Sequence, residues 1–283
     1  MRTIFHIFVA LAVSFLWLSA AETVHTVRSD GATIEYFDEG KGEVVVLLPG
    51  GSLNVDYLKP LAESLVKAGY RVVRINPRGA GESTNEKKEV NLRDLSGDVA
   101  KVIEHLGAGK VVVAGHAYGN RIARMLAAEH PELVKGVVLL AAGGKVAPGK
   151  EASAALKTLF DPKTTDAEYA DAMHYMVGNP KEIDVAGKAL KASRAPQAGV
   201  LQFEAASTSK VEEWWAPGGN VPYLVIQGGR DRAAPLENGE LLKKDLGDRV
   251  TLVTLPDAGH LLVVTRPKEV TDAMVRFLKG LER

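Results

Sequence analysis

The stretch "VVVAGHAYGN", residues Val111 to Asn120, decides the fold. Its first half is a continuous apolar run, the signature of a strand buried on both faces of a parallel sheet. Its second half places Gly115 and Gly119 on either side of a three-residue corner. Ile122, Met125 and Leu126 then recur at helical spacing. A strand that gives way to a helix within so few residues needs a sharp corner, and glycines permit the close backbone approach such a corner demands. The residue at the tip of the corner is Ala117.

The same alternation extends outward in both directions. Upstream, "TVHTV" and "TIEYF" read as two opening strands joined through Asp30-Gly31, and "EVVVLL" as a buried strand ended by Pro49-Gly50-Gly51. A helix over Tyr57–Ala68 closed by Gly69, the strand "YRVVRIN", and a helix carrying Leu92, Leu95, Val99, Val102 and Leu106 and stopped by Gly107 complete that side. Downstream, "GVVLLAA" is a further strand. From 143 to 219 the alternation stops: Pro148, Pro162, Pro180 and Pro196 punctuate short helical patterns, and no strand is convincing. It resumes with "YLVIQGG", a helix from Leu236 to Leu246, "VTLVTLP" and a last helix from Pro267 to Leu281. Strands alternating with helices predict an α/β fold, a mostly parallel sheet with helices on both faces. Residues 22–142 and 220–283 form the expected core, with 143–219 inserted as a helical cap above the carboxyl ends of the strands, where open α/β sheets bind ligands.

Composition narrows the function. Lys+Arg 35 balance Asp+Glu 35, so no basic field is available to hold nucleic acid, and small-molecule ligands are the expected partners. With no cysteine there is no disulfide, no thiolate nucleophile and no cysteine-ligated metal. Neither a metal nor a cofactor is called for, and no segment has the spacing of a phosphate-binding loop. The N-terminus departs from the rest: Met1-Arg2, an apolar run to Leu18 and small residues before Glu22 read as a secretory signal over 1–21. The run is short for a membrane span. The expected destination is the periplasm or the medium, with no stable membrane anchor after cleavage.

Chemistry-bearing residues follow the strands in a telling order. Ala117 lies after the strand Val111–Gly115, Asp231 follows a later strand in "GGRDRAAP", and His260 follows the last strand in "DAGHLL". Nucleophile, acid, histidine is the order of a catalytic triad carried on an α/β sheet, whose nucleophile sits in a Gly-x-Ser-x-Gly elbow. With "LLPGG", "NPRGAGES", "GHAYGN" and the "GH" that precedes Pro267, the chain resembles the α/β-hydrolase superfamily over nearly its whole length. Within it, the likeness is to capped bacterial members such as haloperoxidase-like esterases, enol-lactonases and carbon–carbon bond hydrolases. The resemblance implies a site in which the backbone N–H groups of Gly51 and Tyr118 form an oxyanion hole, His260 is the general base and Asp231 orients it. A small, largely apolar ester, lactone or carbonyl compound is the substrate class it implies.

Ala117 stands where that family carries its serine, Pro49 where it usually has histidine, and Asn120 where a second glycine is common. Three readings follow. The alanine is an engineered Ser→Ala trap; or the chain is an enzyme in which the His260–Asp231 dyad activates water or removes a substrate proton; or it is a non-catalytic binder that keeps the pocket. Three departures favour natural divergence over engineering, and the intact dyad tilts the balance toward an enzyme. Ser52, beside Gly51, is a weak substitute nucleophile because nothing in the sequence sets a base next to it. His105, His116, His130 and His174 are assigned structural or surface roles, Asp56 a solvated helix start, and Arg78 a loop brace. Trp214, Trp215, Phe203, Tyr169, Tyr175 and Met176 either line an apolar pocket under the cap or pack among its helices.

Overall fold

The computed structural model of the protein describes residues 22–217 and 220–282; the expected signal segment lies outside them. Eight strands form one sheet: β1 Thr23–Ser29, β2 Ala32–Gly40, β3 Val44–Leu48, β4 Arg71–Ile75, β5 Val111–His116, β6 Val134–Leu140, β7 Tyr223–Gly228 and β8 Val250–Leu255. Their order is β1-β2-β4-β3-β5-β6-β7-β8. The β1–β2 and β2–β4 pairs are antiparallel, and every pair from β4 to β8 is parallel. The central strands are apolar without alternation because both faces are covered. Val45 and Leu47 of β3 enter one apolar cluster, Val44, Val46 and Leu48 the other.

The helices are α1 Lys59–Lys67, α2 Leu92–Leu106, α3 Gly119–Glu129, α4 Lys150–Phe160, α5 Asp166–Met173, α6 Ile183–Ala192, α7 Pro196–Thr208, α8 Val211–Trp214, α9 Glu237–Leu246, α10 Leu262–Thr265 and α11 Pro267–Leu281. Leu61 and Leu65 of α1 join Val270, Met274 and Leu278 of α11 on one face of the sheet. Leu95, Val99 and Val102 of α2, Ile122 and Met125 of α3 and Leu242 of α9 cover the other. Local chemistry sets the ends: Asn91 and Asp94 close a capping box on α2, and Gly107, at φ 60°, stops it in the left-handed conformation that glycine adopts cheaply. The helix expected over Tyr57–Ala68 is a 3-10 turn, Asp56–Leu58, leading into α1. Pro60 then sits within the first turn, where its missing N–H costs no bond. Between β6 and β7 the described chain forms α4 to α8 and no strand.

The direction of the crossovers places the site. From β3 the chain adds β4 on one side and then crosses to lay β5 on the other. Strand order therefore reverses at β3/β5, and a crevice opens outside their carboxyl ends. Leu48 pairs in register with Gly115, so the Pro49-Gly50-Gly51 loop and the corner at Ala117 leave the sheet side by side.

Candidate active site

Ala117 has φ 47°, a left-handed backbone that alanine adopts only under constraint from its surroundings. The constraint is visible. Its N–H donates to Leu140 O of β6 at 2.9 Å, and its carbonyl accepts from the Asn120 side-chain amide. The flanking glycines let α3 close on the strand: a Cβ on Gly115 would lie 2.3 Å from Gly119 O, and one on Gly119 would lie 2.7 Å from Leu48 O. No side chain fits at either position.

Asp231 and His260 arrive from β7 and β8 and meet. His260 Nδ1 lies 2.9 Å from Asp231 Oδ2, and both residues are buried. Asp231 Oδ1 accepts from the N–H groups of Ala233 and Ala234 at 2.9 and 2.7 Å, so its own loop holds the carboxylate in place. A carboxylate only accepts, so Nδ1 carries a proton, and in the neutral imidazole this tautomer leaves the lone pair on Nε2. His260 shares a cavity of about 310 Å³ with Gly50, Gly51, Ala117 and Tyr118. The N–H groups of Gly51 and Tyr118 donate to no acceptor among the described residues. Leu156, Phe160, Met176 and Leu190, from the helical segment between β6 and β7, close the cavity with apolar surface.

A chain of hydrogen bonds ties these loops together. Gly50 N–H donates to the Tyr57 hydroxyl at 2.7 Å, Tyr57 O–H donates to His116 Nδ1 at 2.8 Å, and His116 Nε2–H donates to His260 O at 3.0 Å. The direction follows from the ends, because a backbone carbonyl can only accept. His116 is thus a neutral structural imidazole, bonded to the loops that carry Gly50 and His260. Burial, with His260 beside it, pushes its pKa down to about 3. Its folded pKa lies below the unfolded value of about 6.5, so the unfolded chain binds the proton first as pH falls. This contribution is intact above pH 6.5 and shrinks toward pH 3; by pH 5 it amounts to a loss of ~2 kcal/mol. Urea unfolding at pH 7 and pH 5 should show that loss in the parent and not in His116→Gln. Equal losses in both would exclude it.

The other residues singled out in the sequence fall into place individually. Arg78 is buried and paired through two N–H groups with Asp98, at 2.7 and 2.8 Å, while also bonding Asp30 O and Asn85: it braces its loop. Asp56 is exposed and accepts from Asn54 at the start of the 3-10 turn. His105 and His174 are exposed. Ser52 lines the cavity with φ 60°, and its N–H is held by Gln202 Oε1 at 2.8 Å. Of the aromatic and methionine set, Met176 alone lines the cavity. Trp214 and Trp215 are buried elsewhere, each with its ring 4.8 Å from the guanidinium carbon of Arg124, and Phe203 is 78% exposed. The tryptophans are drawn there by a buried cation, which favours ring faces. Tyr57, Arg121 and Arg124 had not been singled out; the i, i+3 pair of arginines directly after the corner was the available signal for the last two.

Among the described residues no cluster of three or more His, Asp or Glu is arranged to hold a metal ion, and no helix is long and apolar enough to cross a membrane.

Comparison with known proteins agrees with the architecture. The family model described as "alpha/beta hydrolase fold" matches residues 43–267. A non-heme haloperoxidase of Rhodococcus erythropolis is 24% identical, covering 89% of this chain and 98% of its own. Among solved structures, a thermophilic esterase from Thermogutta terrifontis superposes with TM-score 0.77 at 20% identity, covering 92% of this chain and 100% of its own. The enol-lactonase from Burkholderia xenovorans LB400 does so with TM-score 0.75 at 24% identity, covering 90% and 100%. With its eight-stranded sheet, its helices on both faces and a match that spans most of its length, this chain belongs to the α/β-hydrolase superfamily of hydrolases.

Proposed function

We propose that the protein acts on a small, largely apolar ester, lactone or related carbonyl compound without forming a covalent acyl-enzyme. The substrate carbonyl oxygen lies at the N–H groups of Gly51 and Tyr118, which stabilise the charge that develops there. His260 Nε2 takes a proton from water or from the substrate, and Asp231 keeps the imidazole in that tautomer and stabilises the imidazolium. Ala117 offers a methyl group where an attacking oxygen would stand, so the chemistry is that of a base and an oxyanion hole alone. The helical segment 143–219 acts as a cap that excludes water from the cavity, and residues 1–21 serve export.

One observation carries this reading: two backbone donors without acceptors among the described residues and one histidine ring nitrogen share a single cavity with the tip of the corner. A site kept only for binding has no use for a carboxylate-oriented histidine. Loss of a triad serine costs about 10⁶-fold in a measured serine hydrolase, so turnover is expected to be slow. A panel of small esters, lactones and β-diketones given to the purified mature protein should show weak hydrolysis. It should fall by ~10²-fold or more in His260→Ala, since that is the low end of what general-base catalysis supplies. Turnover that survives His260→Ala unchanged, or ligand binding with no turnover at all, would hand the site to the binder reading that the Ala117 methyl favours.

A further inference from the structure

Arg121 and Arg124 lie on the same face of α3 near its start, and neither meets a carboxylate among the described residues. Residues 1–21 contain no Asp or Glu either. Arg124 is fully buried and turned inward: its guanidinium donates to Trp215 O at 3.2 Å, to Gly143 O at 2.8 Å and to the Asn120 side chain, between the two tryptophan rings. Burial pushes its pKa down to about 9. Arg121 is different. It is half-buried, lines the cavity beside Ala117, and makes no side-chain hydrogen bond among the described residues. Its guanidinium carbon sits 5.4 Å from the Tyr118 ring centroid and 5.2 Å from that of Trp214. Rings hold the face of a guanidinium but offer no acceptor to the N–H groups at its rim.

The surroundings leave that charge uncompensated. The start of a helix adds positive partial charge of its own. Arg124, one turn further on, repels Arg121 and does not neutralise it. Among the described residues no Asp or Glu lines the cavity, and Asp231, behind His260, is committed to His260, Ala233 and Ala234. A cation taken partly out of water with no counter-charge is costly unless something pairs with it. The planar fork of an arginine matches a carboxylate with two parallel hydrogen bonds. The wall also carries polar groups such as Ser52, Asn120 and His260, but much of the rest is apolar, including Leu156, Phe160 and Leu190, which suits one anionic end on a largely apolar body.

We propose that Arg121 sets substrate specificity by pairing with a carboxylate, so that the compound processed is a small ester or lactone carrying one anionic end. This deepens the function proposed above and rests on its placement of the reacting carbonyl at Gly51 and Tyr118. Monomethyl adipate and dimethyl adipate test it, because they differ in little beyond one charge. Calorimetric titration of the native protein should give at least ~10-fold tighter binding of the monoester, the scale of a charge-assisted pair. Arg121→Gln should lose that preference while binding the diester within about twofold of the parent, and Arg121→Lys should recover part of it, keeping charge but not the fork. Equal weakening of both ligands in Arg121→Gln would assign the arginine to packing against Tyr118 and Trp214 and overturn the proposal. So would the absence of any preference, or of monoester binding at about 10 mM. Arg121-dependent binding with no His260-dependent turnover would sink the enzymatic reading alone and leave the carboxylate site standing.

Discussion

Replacing Ala117 by serine should raise hydrolysis of small activated esters by ~10³-fold or more, since serine removal from a working triad costs about 10⁶-fold. On the proposed reading of the site, the other groups a serine would use are His260, Asp231 and the N–H groups of Gly51 and Tyr118. Ala117 already holds the left-handed backbone of the corner, at φ 47°, and serine adds a single oxygen to the same Cβ. The side chain opens into the cavity it shares with His260, whose Nδ1 is fixed by Asp231 and whose Nε2 can accept the hydroxyl proton. The N–H groups of Gly51 and Tyr118 are available for the oxyanion. The new activity should therefore carry the marks of covalent catalysis: an acyl adduct in intact-protein mass spectra, and a product burst where deacylation is slow. Adding His260→Ala should remove both. A folded Ala117→Ser protein with neither adduct nor gain in rate would show that the arrangement around residue 117 no longer supports attack.

A large loss of stability is expected at Gly115. A methyl group there would stand 2.3, 2.4 and 2.6 Å from Gly119 O, Gly119 C and Asn120 N, all backbone atoms of the turn entering α3. Flexible side chains can swing aside; a helix pinned to its strand cannot. Gly115→Ala should cost about 3 kcal/mol or more, beyond the usual range for overpacking because α3 must move bodily off β5. At this chain length that corresponds to a fall in melting temperature on the order of 10 °C. Gly97→Ala in α2 is the control, since a Cβ there meets nothing within 4 Å. It should be neutral or stabilising by up to about 1 kcal/mol, the helix-propensity difference. Similar melting temperatures for the two variants would refute the close-packing argument.

How far the sequence could be read depended on the range of the physics involved. Strand β5 and helix α3 are legible from the short stretch Val111–Leu126, because an apolar run and a helical periodicity are local patterns, and the last helix is read with both its ends, Pro267 and Leu281. The start of α1 was misplaced by two residues, since the geometry preceding Pro60 is a matter of turn type and leaves hydropathy unchanged. The approach of Asp231 to His260 followed from their placement after successive parallel strands, which brings strand ends together at one edge. Tyr57 was not legible as a partner of His116: 59 positions separate them, and no periodicity encodes which hydroxyl meets which imidazole across a crevice. Nor was the destination of the tryptophans. Their fate is decided by a guanidinium on a different helix, and the only hint in the sequence is an arginine where the inner face of α3 should be apolar.

The hydrogen bonds from Gly50 through Tyr57 and His116 to His260 join loops that follow β3, β5 and β8. Each bond is buried, so breaking any one strands a polar group away from water, at a cost of about 1–3 kcal/mol. The loop that carries Gly50 and Gly51, the corner and His260 are therefore tied to one another through these bonds. They are expected to open together, so hydrogen exchange at the three segments should show one shared protection, not the separate fraying of ordinary surface loops. In such an arrangement, a methyl or a hydroxymethyl group at position 117 leaves these bonds equally in place. The framework around the cavity is carried by buried hydrogen bonds that do not involve the side chain of residue 117.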